Sequence, residues 1–253
     1  MTAHYHKEYW QETPRQNDSG INLLYSLRMR GVISKLRRLL PAGGRIVDVG
    51  AGACAFMACC EKAGFDAWGV DKFSSPHNIT NFQQSDLTEA AFPDSFFDAV
   101  TFFHVIEHLA DPKASLIEAV RILKPGGLIV IETPNIDSLW FRIFKNRWQP
   151  LEFPTHFNFF NPASIAELAK SVGNLEIIFL SQFSLRASPA ALVLSLFPGL
   201  QPKRMRVKRG RGLPFIKLIA YLCLQLAALP LTALTAAVNK GCIMRIYLKK
   251  RSI

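Results

Sequence analysis

Apolar side chains at Ile21, Leu24, Leu27, Val32, Leu36, Leu39 and Leu40 recur at nearly helical spacing and stop at Pro41 and Gly43-Gly44, which predicts a helix followed by a turn. The pattern then shortens. Ile46-Val47-Asp48-Val49 is a brief apolar run opening into glycines, and residues 56–63 form a small-residue helix closed by Gly64, giving strand, loop and helix in sequence. Residues 67–71 and 97–103 predict further strands, with a weaker one over 81–86 between them. An amphipathic helix over 116–123 halts at Lys124-Pro125-Gly126-Gly127, and the apolar run 128–133 is of the kind buried on both faces in parallel sheets. Asn161-Pro162 caps a helix over 163–171 that leads to a sixth strand at 175–180. The last strand, 242–248, comes more than 60 residues later. This alternation predicts an α/β fold, a doubly wound and mostly parallel seven-stranded sheet with a hydrophobic helical insertion before the last strand. It divides the chain into an N-terminal helical cap (1–40), a core (41–186), the insertion (187–241) and the closing strand (242–253).

Composition sharpens this outline. With 253 residues, 49% hydrophobic and 19% charged, the chain can bury a substantial core, and disorder is not the reading. The five cysteines include no Cys-x-x-Cys pair and combine with the six histidines at no zinc-like spacing, so a reducing cytoplasm fits and no metal site is assigned. The first ten residues have neither a basic nor an apolar region of the secretory type. The net charge of +11 is unevenly placed: residues 1–185 hold 17 basic and all 19 acidic residues, whereas 186–253 hold 13 basic residues and no acid. That asymmetry points to an anionic surface partner for the C-terminal region rather than to a basic core.

Candidate chemistry begins at the first strand. Gly50 and Gly52 let the chain turn tightly and bring backbone close to a ligand. With Ala55 they also satisfy the dinucleotide pattern Gly-x-Gly-x-x-Ala, so a nicotinamide or flavin cofactor enters consideration. Asp48 argues against it, because a carboxylate two residues before the first glycine would repel a pyrophosphate but could hold a cationic amino-acid group. Asp71 can accept ribose hydroxyls at the end of the second strand, and Asp86, just before Leu87, is placed for an adenine amino group. Each aspartate alone is equally at home as a turn residue. Together they fit a cofactor with a sulfonium and no phosphate.

These segments, with Gly69-Val70-Asp71, Ser85-Asp86-Leu87, the run from Phe97 to His108 and Leu123-Lys124-Pro125-Gly126-Gly127, resemble the class I S-adenosylmethionine-dependent methyltransferases over about residues 40–180. The resemblance implies S-adenosyl-L-methionine as cofactor. It places Asp48, Gly50, Ala51 and Gly52 beside the methionine moiety, Asp71 and the adjoining Lys72 at the ribose, Asp86 and Leu87 around adenine, and His104 near the sulfonium. Cys54 departs from the pattern, since many members carry a third glycine there.

Methyl transfer from a sulfonium is an in-line displacement, so alignment is the main task, and a hydroxyl acceptor also needs a base or a metal to take its proton. Glu107, His108 and His156 are the candidate catalytic residues. If a helix starts at His104, then His104, Glu107 and His108 share one face; the plainer reading has Glu107 and His108 bracing the loop, with Asp111-Pro112 starting the next helix. In the resembling subset that includes ubiquinone-biosynthesis O-methyltransferases, a Glu-x-x-Glu-His segment here can hold a divalent cation, and His104 breaks that pattern. His156 lies in an aromatic-rich segment, 153–160, which could line an acceptor pocket or simply pack. By resemblance, Tyr5, Tyr9 and Trp10 form a flap over the cofactor.

Residues 213–238 contain one charge, Lys217, and follow the uncharged segment 187–200 and the basic run Lys203, Arg204, Arg206, Lys208, Arg209 and Arg211. The length permits a membrane span, but one span would strand the last strand across the bilayer, and a hairpin would put the basic run outside. Pro214 and Pro230 also interrupt the second arm. Helices lying in the interface, with the basic run against anionic headgroups, fit better; an apolar cap on the sheet or a dimer contact is the alternative. Nucleic acid is disfavoured as a partner, because the adjoining stretches are apolar. The expectation is a cytoplasmic enzyme, peripheral on the inner face of a membrane, methylating a small or lipid-linked acceptor at oxygen or carbon. The competing expectation is a membrane-associated cofactor-binding or assembly protein without turnover.

Overall fold

The structure is a computed structural model that describes residues 19–73, 79–152, 154–185, 187–200 and 215–252. Tyr5, Tyr9, Trp10 and the basic run 203–211 therefore lie outside the described residues. Seven strands form one sheet: β1 (Arg45–Val49), β2 (Asp66–Asp71), β3 (Phe82–Gln84), β4 (Phe97–Phe103), β5 (Leu123–Pro134), β6 (Leu175–Ser181) and β7 (Ile243–Lys250). Their order is β3-β2-β1-β4-β5-β7-β6, with β7 antiparallel to both neighbours and the other pairings parallel. The chain winds outward in opposite directions from β1 and β4, so a crevice opens beyond their carboxyl ends, where open α/β sheets bind ligands.

Among the described residues seven α-helices accompany the sheet: α1 (Ser19–Leu39), α2 (Ala55–Lys62), α3 (Pro112–Ile122), α4 (Leu139–Phe144), α5 (Pro162–Val172), α6 (Ala187–Leu196) and α7 (Phe215–Ala237). Val32 and Leu36 of α1 and Phe56, Met57 and Cys60 of α2 pack on one face against Ile46, Ala99, Val130 and Tyr247. Leu116, Ala119 and Ile122 of α3 and Ile165 and Ala169 of α5 cover the other against Val47, Val100, Ile129 and Ile246. A third cluster, around Trp140, Trp148, Leu192 and Ile243, joins the α6–α7 pair to the carboxyl end of the sheet.

Three expectations are corrected. Helix α3 begins four residues earlier than the apolar pattern suggests, because Asp111 caps it by accepting from the Ala114 N–H at 2.9 Å and Pro112 occupies the first turn. Lys124-Pro125-Gly126-Gly127 does not end an element before a separate strand: β5 runs through it, with a register shift between Phe97↔Leu123 and Ala99↔Leu128 that positive φ at Gly126 accommodates. Pro230 does not break α7, which is continuous. Beside the proline, the Thr232 hydroxyl donates to the Ala228 and Leu229 carbonyls, each at 3.0 Å, in the turn where the ladder is weakened.

Candidate active site

Asp48 stands near the end of β1, opposite Thr101 of β4, whose hydroxyl donates to its carboxylate at 2.6 Å. The carboxylate is buried, and burial pushes its pKa up to about 7, with the Thr101 bond opposing and nearby Asp71 adding to the rise. A buried carboxylate held this way is stabilised as an anion further by a cation, and the ammonium of an amino-acid ligand is one. Immediately after it the chain turns through Gly50 at φ 69°, where a Cβ would collide with Val105. Gly52 and Cys54 are also left-handed, at φ 54° and 57°. Cys54 thus adopts the backbone shape that a third glycine would take, at a cost of roughly 1 kcal/mol.

Asp71 closes β2 with both carboxylate oxygens engaged: Oδ2 accepts from the Gly52 N–H and Oδ1 from the Phe73 N–H, each at 2.9 Å. The same side chain therefore ties the glycine loop to β2 and retains lone pairs for ligand hydroxyls. Asp86 is half exposed and accepts an ion pair from Lys72 at 3.0 Å, so these two expected contacts are found paired to one another. Leu87 is buried just behind Asp86. A cleft of about 280 Å³, lined by Met57, Ala58, Glu61 and Asn81 among others, lies along the flank of α2 rather than at these strand ends.

The segment after β4 differs from expectation. No α-helix starts at His104: its φ is 56°, its N–H is held by the Glu132 carbonyl at 2.8 Å, and only a 3-10 turn follows over Ile106–His108. His104, Glu107 and His108 consequently share no single face. The His104 ring lies between two carboxylates, with Nε2 3.1 Å from Glu132 and Nδ1 3.4 Å from Glu107. Burial would lower its pKa, but the two carboxylates outweigh it and raise it to about 9. Glu132, buried and opposed by Arg245 as well as His104, is held down at about 2. Arg245 reaches it from β7 through Nε at 2.7 Å and through Nη2, and the Ser184 hydroxyl donates to it at 3.1 Å.

Glu107 belongs to that network through His104 and also meets His108 and His156. The Glu107 carboxylate is buried; Oε2 accepts from the Thr133 hydroxyl at 3.0 Å, and Oε1 faces His104 Nδ1 at 3.4 Å. His108 Nδ1 lies 2.9 Å from the Thr155 carbonyl, which fixes that nitrogen as a donor and turns Nε2 outward as an acceptor. The His108 and His156 rings meet edge to face at 4.5 Å. The N–H groups of Phe157 and Asn158 both donate to the Glu107 carbonyl, fastening the 154–160 segment over it. Burial lowers the pKa of His156, so it is available as a neutral base. Glu107, His108 and His156 each offer one ligand atom, all within 4.8 Å of one another. Two imidazoles and a carboxylate are a donor set that a divalent cation fits.

The family model that describes a methyltransferase domain matches residues 25–176. The chain belongs to the class I methyltransferases, whose cofactor is S-adenosylmethionine. Two ubiquinone biosynthesis O-methyltransferases resemble this chain over 154 residues. The one from Xanthomonas axonopodis pv. citri is 27% identical, covering 54% of this chain and 64% of the relative. The one from Cereibacter sphaeroides is 30% identical, covering 53% and 62%. The chain thus spans slightly under two thirds of the length of these relatives. A solved S-adenosylmethionine-dependent methyltransferase from Archaeoglobus fulgidus shares the fold over 99% of this chain and 100% of its own, with a TM-score of 0.57 at 20% identity.

Sequence reasoning missed Thr101, Glu132, Thr133 and Arg245. Glu132 did leave a signal: it is the one charge in the apolar run 128–133, and a charge on a doubly buried strand requires a partner.

Proposed function

We propose that this chain transfers the methyl group of S-adenosylmethionine to a hydroxyl of a small or lipid-linked acceptor presented at a membrane surface. The observation that carries the reading is the meeting of Glu107, His108 and His156 beside the carboxyl ends of β4 and β5, next to the loop of Asp48, Gly50, Ala51 and Gly52. In this reading Asp48 holds the cofactor's ammonium, Asp71 the ribose, and Asp86, Lys72 and Leu87 frame the adenine end. His104, clamped between Glu107 and Glu132, positions Glu107 instead of touching the sulfonium. His108 and His156 remove the acceptor proton while the loop around them aligns the oxygen with the methyl group. A divalent cation held by Glu107, His108 and His156 would acidify the acceptor hydroxyl.

The membrane part of the reading is supported by where apolar surface is exposed. Among the described residues, large exposed apolar side chains fall in segments 139–159, 177–180 and 185–238, with only Leu27, Leu39 and Ile117 elsewhere. Helix α7 turns Gln225, Thr232 and Thr235 inward and leaves Leu226 and Leu234 more than 60% exposed, an arrangement suited to apolar surroundings. It is long and apolar enough to cross a bilayer. Its partner α6, at 10 residues, reaches only about 15 Å, half a hydrocarbon core, and β7 returns to the same sheet. The pair therefore suits a helical hairpin seated in one leaflet, on the inner face of a cytoplasmic membrane.

The test is methyl-labelled S-adenosylmethionine incubated with the protein and a membrane lipid extract. Label is expected in the organic phase, falling about a hundredfold in rate for His108→Ala. Bound cofactor with no labelled product would favour a binding protein without turnover. Loss of turnover in a chelator, restored by magnesium, would identify the cation; turnover indifferent to the chelator would leave His108 and His156 as the bases.

A further inference from the structure

Helix α1 carries Arg28, Arg30, Lys35, Arg37 and Arg38 and no acidic residue, although the first 185 residues as a whole carry more acids than bases. Arg37 has a structural task, donating from Nε and Nη2 to the Ala63 carbonyl at 3.2 and 2.9 Å. Lys35 and Arg38 have none of that kind: no ion pair or hydrogen bond joins either of them to another described residue. Both instead line a cleft of about 260 Å³ between α1 and the β6–β7 edge, together with Ser34, Ser181, Arg245, Phe179 and Tyr247.

Three cations converge on this cleft, and no acidic side chain lines it. Arg245 is engaged by Glu132 at its inner end, and Glu132 is shared with His104. The Lys35 ammonium lies over the Phe179 ring at 2.6 Å from its centroid and 4.9 Å from that of Tyr247, so among the described residues aromatic faces are its neighbours of opposite polarity. Burial, and after it Arg38 and Arg245, hold its pKa below the usual lysine value. The Ser34 and Ser181 hydroxyls complete a lining rich in donors. Such a constellation matches an anion with several acceptor oxygens and an apolar neighbour that can rest on the rings.

We propose that this cleft binds a phosphoryl group, supplied by an anionic phospholipid headgroup or by a free phosphate ester. The site is on the flank of α1, away from the cofactor loop, and the inference stands independently of the proposed reaction. Arg245 gives it a physical link to the active site, because the guanidinium that faces the cleft also fixes Glu132 and, through it, His104.

The test is a calorimetric titration of the full chain with inorganic phosphate and with glycerol 3-phosphate, beside flotation with vesicles of phosphatidylcholine alone or mixed with phosphatidylglycerol. The double variant Lys35→Gln/Arg38→Gln is compared with a charge-matched control, Lys113→Gln/Lys170→Gln, both first shown to melt like the native chain. Saturable binding of the soluble phosphates, weakened at least tenfold in the first variant and unchanged in the control, supports the site with a free ligand. Binding only to phosphatidylglycerol vesicles, weakened in the same selective way, supports it with a lipid headgroup. Absence of binding in every arm, or equal weakening in both variants, overturns it.

Discussion

Asp48 illustrates how much one buried carboxylate determines. Its pKa of about 7 arises because burial disfavours the anion more than the Thr101 hydroxyl favours it. A ligand ammonium binds the ionised form, so uptake of S-adenosylmethionine must release a proton wherever Asp48 is still protonated. Affinity is therefore expected to fall as pH drops below about 7, toward tenfold per unit, and to level off above it. Calorimetry in two buffers of different ionisation heat would show close to one proton released at pH 6 and almost none at pH 8.5. A pH-independent affinity over that range would remove Asp48 from the ammonium site. Lys72 and Asp86 make a different case, since their mutual ion pair is solvent-exposed and worth at most about 1 kcal/mol. Replacing Lys72 by Gln should leave the melting temperature within a degree or two.

At the scale of elements, the ends of β4, β5 and β7 are tied by the chain Arg245–Glu132–His104–Glu107. Replacing His104 by Phe leaves two buried carboxylates short of a counter-charge and should cost about 3–5 kcal/mol, lowering the melting temperature by roughly 10 °C. A melting temperature unchanged by that substitution would contradict the network. For Glu132 the folded pKa lies below the unfolded value, so its contribution is fully present above about 4.5 and is lost as pH falls toward 2. The loop after β1 and the strand-end aspartates were readable in the sequence because glycine freedom and aspartate position are local properties. The turn at His104 was not, because its left-handed backbone and its pairing with Glu132, 28 residues later, depend on which strands become neighbours. The meeting of His156 with His108 likewise depends on hydrogen bonds from 157 and 158 to Glu107, which no spacing in the sequence announces. Helix α7 was readable as apolar, but not its orientation: only the packed structure shows that its polar residues face inward.

For the whole molecule, that orientation yields a prediction separable from folding. Leu226→Lys/Leu234→Lys places two charges on the exposed face of α7 without touching Gln225, Ala228 or Thr232. Flotation with anionic vesicles should drop severalfold while the melting temperature moves little. Equal flotation of both proteins would take α7 out of the membrane contact. The α6–α7 pair and the 154–160 segment both sit at the carboxyl end of the sheet, so the strand-end acids, the candidate bases and apolar surface share one end of the molecule. Everything at that end depends on S-adenosylmethionine being held by the strand-end acids. A calorimetric titration of the native chain and of Asp71→Ala with S-adenosylmethionine at pH 8 addresses this directly. The native chain should bind one equivalent saturably, and the variant about a hundredfold more weakly, as the loss of about 3 kcal/mol of charge-assisted hydrogen bonding implies. No binding by the native chain, or equal affinity in the variant, would contradict the account.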